Sequence, residues 1–564
     1  MAVRDQPFFA ELVMDSEEYD RWAREIADGN WLGQGTFFQA PLYPYLLALT
    51  YALLGRHYDA VYLWQIALAV AGCWALYRAG ILLLQDAREG QRHGLLAATL
   101  AALYAPFVFY DVHLLKESLA VTLSCFLLWA LMAGRRSLGS KAPWWAAGLV
   151  LGLLALLREN VLVVVPLLLL LAFPRDPGVP VHMRWRTTGR RSGILLAAMF
   201  LVLLPVALRN GLVGGSYLPT TFQGGTNFYI GNHAEADGTY QPIAVGKQVP
   251  RFERGEPIRM ASQDLGRELS ASEVSAYWLG RSLEWIRAEP GDFLRLQLRK
   301  LAMYWRWYEW PDAVDYEWVR GQSLPLRLLP FEFGSITLLA LAGLWSRRRS
   351  LFAQDLPMVL WIVGWTASTV IFFIFSRYRI PMMPALLLWA AEPLRHLLNA
   401  VDDLRRGEDG GTAASRRLLA WVLLLAVALP IPRWVAPPPR LDLVHYNLGV
   451  LDRESGQYPE AEEHFLRAME ANPDHFMAAM NLGRMGAMRR DYGTAERWLR
   501  HAADLEPTSD DVQANLGALY LTTRRPELAR QALERALELN PSHPQAKKNL
   551  EVLEDRFPTT EPTP

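Results

Sequence analysis

Apolar runs separated by short polar loops fill the first three quarters of the chain, and after that the pattern changes. Ten runs have the character of membrane-helix cores: 61–84, 94–110, 119–132, 146–157, 161–173, 193–208, 329–345, 356–375, 380–391 and 418–431. Several fall short of the roughly 20 residues that a perpendicular span needs, so these limits mark cores that extend at their ends. The two runs around Arg158-Glu159-Asn160 are both short, which predicts that this polar triplet dips into the membrane. An amphiphilic stretch over 41–54 precedes the first run. Beyond residue 437 the chain is charged and Ala-rich. There Asn447-Leu448-Gly449 returns as Asn481-Leu482-Gly483 and Asn515-Leu516-Gly517, followed by Asn549-Leu550, at a constant step of 34 residues. Pro473, Pro507 and Pro541 keep the same step, as do Ala461, Ala495 and Ala529. That period is the mark of tetratricopeptide repeats, and it predicts three helix pairs plus a final helix over about 545–556, as a capped solenoid. The expected fold is all-α: a polytopic transmembrane domain over 1–436, then a repeat α-solenoid over 437–564. The segment 432–440, with Pro437-Pro438-Pro439, reads as a stiff spacer.

Sidedness follows from basic residues in the short loops. Arg88, Arg92, Arg135, Arg136, Lys141, Arg175, Arg184, Arg186, Arg190, Arg191, Arg347, Arg348, Arg349, Arg395, Arg405, Arg406, Arg416 and Arg417 fall on one side, which is assigned to the cytoplasm. The opposite short loops hold only Lys116, Arg158, Arg377 and Arg379. Both ends of the chain, and the long loop over about 209–328, then lie outside. Nothing before Asp15 has the pattern of a signal peptide or a span. A further helix upstream of Met1 is therefore expected, with 41–54 in the interface; alternatively 41–54 itself spans, and Asp15 lies on the other side.

Composition adds little to this picture. The 564 residues carry 57 basic and 57 acidic side chains, a net charge of zero that argues against a nucleic-acid partner. Many of the 21 Trp flank the apolar runs, as an aromatic belt would. Cys73 and Cys125 lie inside apolar runs and form no disulfide framework. No His/Cys metal-ligand cluster, phosphate-binding Gly loop or nucleophile elbow occurs.

The outer face gathers the polar residues of interest. Asp15, Glu17, Glu18 and Asp20 lie near the start, and Asp111, His113, Lys116 and Glu117 before the third run. Arg158-Glu159-Asn160, Arg209-Asn210, the run 224–232 and Ser376-Arg377-Tyr378-Arg379 follow. Charges at a membrane boundary are costly unless they are paired or functional. Each has a plainer reading as well: Asp15 or Ser16 as a helix cap, Glu117 paired with Lys116, Arg377 and Arg379 as interfacial anchors, and 224–232 as tight turns.

At these residues the chain resembles the GT-C glycosyltransferases, in particular the family 39 type that includes protein O-mannosyltransferases and the lipid A aminoarabinose transferase. The resemblance rests on Asp15-Ser16 with Tyr19 and Ala23, Pro41-Leu42-Tyr43-Pro44, Leu115-Lys116-Glu117-Ser118, Arg158 with Asn160, and Ser376-Arg377-Tyr378-Arg379 with Pro381 and Pro384. It implies a polyprenyl-phosphate sugar donor and a protein or glycolipid acceptor bound on the outer face, in the plasma (inner) membrane of a bacterium. It also implies that Asp15 and Glu117 are the catalytic acids. Ser16 stands where many relatives have a second acid, so a divalent metal lacks a ligand cluster and no cofactor is assigned.

The chemistry suits the residue types. An acceptor hydroxyl loses its proton as it attacks the anomeric carbon, which a carboxylate assists. The leaving phosphate gains charge, which fixed cations stabilise. Lys116, Arg158, Arg377 and Arg379 are the candidates for that phosphate, and Tyr19, Tyr43, Asn227, Asn232 and Tyr378 for substrate. One carboxylate and an anionic leaving group imply direct displacement with inversion. The repeats are expected to bind a partner protein or the acceptor and to contribute no catalytic group. Two other readings remain open: an O-antigen ligase or polymerase type that relies on Arg and His in the large outer loop, and a membrane-anchored repeat scaffold.

Overall fold

A computed structural model describes residues 12–137, 139–175, 178–244, 250–312, 314–406, 412–429 and 438–557. The protein is all-helical, with one isolated bridge between Tyr104 and Phe331 among these residues. The membrane part opens with α1 (Asp15–Ala27), α2 (Leu42–Leu54), α3 (Tyr58–Ile81), α4 (Ala87–Ala102), α5 (Ala105–Asp111), α6 (Glu117–Arg136), α7 (Ala142–Ala155), α8 (Val161–Leu169) and α9 (Val181–Gly214). The loop region adds α10 (Gly224–Gly231), α11 (Pro250–Leu265), α12 (Ala271–Ala288), α13 (Pro290–Tyr304), α14 (Tyr316–Gln322) and α15 (Leu324–Leu328). Next come α16 (Phe333–Ser346), α17 (Leu356–Val370), α18 (Met383–Arg406) and α19 (Thr412–Ala428).

Among the described residues three helices, α3, α6 and α9, are both long and apolar enough to cross a membrane; α2, α7, α8, α16, α17 and 418–428 are shorter apolar segments. The run expected over 94–110 is not one helix. Tyr104 is extended and Pro106 sits in the first turn of α5. Proline disfavours helical backbone in the residue before it and has no N–H of its own. The break is satisfied because the Ala105 amide donates to Phe331 O at 3.0 Å. The run over 193–208 is longer than expected: α9 has 34 residues, about 50 Å at 1.5 Å per residue, against a hydrocarbon core of about 30 Å. The outer loop therefore begins at Gly215 and not at Arg209. Arg158-Glu159-Asn160 lies between the short helices α7 and α8. The tenth run ends among residues outside those described, as does most of the proline spacer.

The basic loops assigned to one side do meet at one end of the bundle. Arg135 donates to Ala353 O (2.9 Å), Arg136 to Leu84 O (2.7 Å) and Arg191 to Ser137 O (2.9 Å). The polar residues of the other set gather at the opposite end.

The solenoid consists of α20 (Leu441–Glu454), α21 (Tyr458–Ala471), α22 (Phe476–Met488), α23 (Tyr492–Leu505), α24 (Asp510–Thr522), α25 (Pro526–Leu539) and α26 (Pro544–Arg556). The 34-residue period is visible as repeated contacts. His475, Ser509 and His543 each cap the helix that follows by accepting from an amide three residues on. A Cβ on Gly449, Gly483 or Gly517 would sit within 3 Å of Phe465, Leu499 or Leu533, so the paired helices cross where only hydrogen fits. The solenoid is seated on the membrane part: Val444, Leu448 and Leu451 of α20 share a buried cluster with Tyr316 and Val319 of α14 and Ala105 and Phe109 of α5.

Candidate active site

A cavity of about 550 Å³ opens at the polar end of the bundle. Asp15, Tyr19, Lys116, Arg158, Asn227, Arg377 and Tyr378 all line it, from segments that span more than 360 residues of sequence. Its remaining wall mixes polar side chains with an aromatic and aliphatic stretch of Trp365, Phe372, Phe373, Ile374 and Phe375.

Asp15 is the first residue of α1 but does not cap it. The cap position is Met14, held at φ 53° with no side-chain hydrogen bond to the helix. A non-glycine residue in the left-handed region costs of order 1–3 kcal/mol and needs surrounding structure to hold it. The turn leaves the Asp15 carboxylate free to meet Arg377, whose Nη1 lies 2.7 Å from Oδ2, while Gln39 Nε2 approaches Oδ1 at 3.4 Å. The second Arg377 nitrogen, Nη2, lies 2.9 Å from Asp312. Burial alone would raise the Asp15 carboxyl, but Arg377 and Lys116 outweigh it and hold the group below the usual carboxylate range.

Lys116 ends the loop before α6, with its ammonium 5.8 Å from the Tyr19 ring centre. Burial first, and then the Arg158 guanidinium, lower it to about 8. Arg158 pairs with Glu117 and lies 4.5 Å from the Tyr378 ring centre. The Nε atoms of Arg158 and Arg377 are buried and make no hydrogen bond. Buried donors of this kind normally find partners, and these two belong to side chains that line the cavity. Glu117 is fully buried behind Arg158 and does not line the cavity.

Three candidates lie elsewhere. The Arg379 guanidinium donates to Tyr304 O (3.1 Å), Arg306 O (2.7 Å) and Tyr308 O (3.1 Å), pairs with Glu309 at 2.8 Å and lies over the Phe333 ring. It clamps the 304–309 segment and does not face the cavity. Asn232 is buried, with its amide on Phe228 O and Ile371 O and its oxygen accepting from Lys300 at 3.0 Å. Tyr43 is buried and donates to Gln65 Oε1 at 2.6 Å. All three are positioning residues by location.

Several lining residues had not been singled out from sequence: Gln39, Tyr240, Glu253, Trp310, Asp312 and Arg440. Glu253 accepts from the Tyr240 hydroxyl, and burial raises its carboxyl to about 7. The run Trp305-Arg306-Trp307-Tyr308-Glu309-Trp310-Pro311-Asp312, dense in aromatic and charged residues inside a loop, was the signal available for part of this set. Arg440 and Leu443 bring the leading edge of the solenoid to the cavity, so the repeats are not remote from the site; Arg440 itself is held by Asp442 at 2.7 Å.

Residues 39–208 match the family described as dolichyl-phosphate-mannose-protein mannosyltransferase, and residues 446–510 and 487–550 match tetratricopeptide repeats. The chain thus joins a membrane segment similar to that mannosyltransferase family to a set of tetratricopeptide repeats. No curated protein matches it significantly. Among solved structures, the Archaeoglobus fulgidus oligosaccharyltransferase tethered with an acceptor peptide containing the NVT sequon is similar at 13% identity and a TM-score of 0.40. That match covers 79% of this chain and 54% of the other, so this chain spans about half the length of that enzyme. At that score the likeness carries no argument.

Proposed function

We propose that the protein transfers a sugar, by the family's description mannose, from a polyprenyl-phosphate carrier to an acceptor on the outer face of the membrane. The observation that carries this reading is the convergence of Asp15 with Lys116, Arg158 and Arg377 on one cavity that also has an aromatic stretch over 372–375. The donor phosphate would meet the cationic groups of Lys116, Arg158 and Arg377. Its sugar would lie against Tyr19, Tyr378 and Asn227, and its prenyl chain toward Phe372–Phe375. Asp15 accepts the proton of the acceptor hydroxyl as oxygen attacks the anomeric carbon. The bond to phosphate breaks with its electron pair on the phosphate oxygen, which the cations stabilise. A single attack of this kind inverts the anomeric centre. Glu117 acts behind Arg158 by orienting it, and Arg379 acts by fixing the 304–309 segment.

The test is consumption of donor by the purified full chain in lipid nanodiscs. Radiolabelled polyprenyl-phosphate mannose should be consumed by the wild type, and the product anomer read by NMR should be inverted. No consumption of any polyprenyl-phosphate sugar from a total lipid extract would overturn the reading.

A further inference from the structure

A second opening, about 980 Å³, lies between the membrane part and the solenoid. One wall is the segment after α13, with Trp305, Trp307, Tyr308 and Trp310; the other is the start of α20 and the end of α21. Trp310 and Arg440 line both this cleft and the cavity, so the two spaces meet at those residues. They meet on the Asp15 side: Asp15, Trp310 and Arg377 also line a small adjoining pocket. The cleft thus leads to the carboxylate, while the aromatic wall over 372–375 belongs to the far side of the cavity.

We infer that this cleft is the acceptor site and that its occupant is a glycan, bound by its sugar faces on the tryptophans and by its hydroxyls on the polar solenoid wall. Two features of the walls favour a glycan. First, the groups on offer are ring faces opposite planar polar groups. Arg440 and Asp442 form a two-point pair at 2.8 and 2.7 Å, and Asn472 donates to the same Asp442 carboxylate at 3.3 Å. Rings with an apolar body suit the C–H faces of a sugar, and paired planar groups suit neighbouring hydroxyls. Second, part of the main chain of both walls is already committed. The carbonyls of Arg306 and Tyr308 are taken by Arg379, and that of Trp310 by the Ser376 amide. Across the cleft, Pro438 and Pro439 have no N–H, and the Arg440 amide is given to Asp315 at 3.0 Å. An extended peptide recognised through its backbone would find these groups taken. A lipid tail would meet the Arg440–Asp442–Asn472 wall and leave it unsatisfied. The cleft volume, larger than the cavity, leaves room for more than one sugar unit.

The inference rests on the transfer reaction proposed above for what happens to the acceptor, but its binding can be read alone. The full chain in nanodiscs is titrated with mannohexaose, maltohexaose and chitohexaose, and separately with a proline decamer and a Ser/Thr-containing peptide. Binding is followed by saturation-transfer NMR. At least one oligosaccharide should bind, and Trp307→Ala should weaken it about tenfold. Trp345→Ala, at an exposed tryptophan of α16, should leave it unchanged. In turnover, Trp307→Ala should raise KM for that oligosaccharide, while Trp345→Ala should leave it at the wild-type value. Peptide binding that depends on Trp307 while no oligosaccharide binds would overturn the glycan assignment. So would oligosaccharide binding indifferent to Trp307, or no binding of either class. Absence of donor consumption by the wild type would instead count against the reaction and leave the binding result standing.

Discussion

The two ends of the membrane bundle both bury charge, and they use it differently. At the basic-loop end, Arg347 grips Asp355 with two bonds of 2.7 and 3.0 Å, and Trp389 Nε1 adds a third at 3.0 Å. Arg395 pairs with Glu392 at 2.7 Å, and Arg92 with Asp402 at 2.6 Å, tying α4 to α18. Charge there is matched with charge, both within α18 and between helices. At the other end, Arg377 and Arg158 each pair with a carboxylate yet keep a buried Nε without a partner, beside a cavity of about 550 Å³. Even there, Arg379 donates to three carbonyls and is turned away from the cavity. Arg379 and Arg191 also keep a buried Nε without a partner, so burial of charge does not by itself mark a site; what sets Arg158 and Arg377 apart is that both line the open volume.

The comparison breaks most sharply at Asp15. Asp15→Asn keeps the shape of the residue and removes the base, so turnover should fall about 10²–10⁴-fold. Donor affinity, measured separately, should change little. Wild-type turnover in a folded Asp15→Asn protein would leave the carboxylate as the partner of Arg377 and nothing more.

At the opposite end the expected effect is on folding. Arg347→Ala strands Asp355 as a buried charge, and breaking such a pair typically costs about 3–5 kcal/mol. Thermal unfolding in detergent should report this, while donor affinity in the folded fraction stays at the wild-type value. A selective loss of donor affinity would make that end functional too.

Arg158→Gln probes the open end again. It removes a charged donor from the phosphate, where such bonds contribute about 1.5–3 kcal/mol, so donor affinity should drop roughly ten- to a hundredfold. Turnover should fall with it, since the charge acts in ground and transition states alike. The same measurement on Arg379→Gln should show lost stability with donor affinity nearly intact.

The contrast between the two ends also shows what the sequence could disclose. The solenoid was legible almost residue by residue, because each contact is made three times at a fixed step and any one copy predicts the others. The ten apolar runs were legible as helices, but their ends were not. Pro106 divides one run, and α9 extends well past its apolar core because its first turns are Arg-rich. For the cavity, sidedness alone brought Asp15, Lys116, Arg158 and Arg377 together. What sidedness cannot give is the direction of a side chain. Arg377 and Arg379 are two residues apart in one 3₁₀ turn, yet one meets Asp15 and the other meets backbone carbonyls. Glu253 and Trp310 come from loop segments with no periodic pattern to place them.

A smaller effect is expected from the solenoid. Removing α22 onward leaves the cluster of Val444, Leu448 and Leu451 with Tyr316 and Val319 intact. Transfer to a small soluble acceptor should then stay near the wild-type rate. A cut before Leu441 uncovers that cluster and takes away Arg440, so stability and transfer should both decline. Equal loss from both cuts would place a needed group in the outer repeats.

The finest distinction is in the pH dependence of donor binding, where the open end should respond and the closed end should not. Lys116, lowered to about 8 by burial and by Arg158, is a cation below that pH and loses its charge above it. Affinity for the anionic donor should therefore be held below about pH 8 and decline as pH rises through it. Lys116→Arg keeps its charge over this range, and the decline should vanish. Glu253 adds an earlier step of the same sign. Raised to about 7 by burial, and facing Tyr240, Asp15, Asp312 and Arg377, it gains negative charge as pH rises through 7. Glu253→Gln should remove that limb and leave the one near 8. Asp15, held below the usual carboxylate range, stays ionised throughout and contributes no slope. A wild-type profile that is flat from pH 6 to 9, with donor bound, would mean that neither Lys116 nor Glu253 senses the phosphate. The cation count of the cavity would then reduce to Arg158 and Arg377.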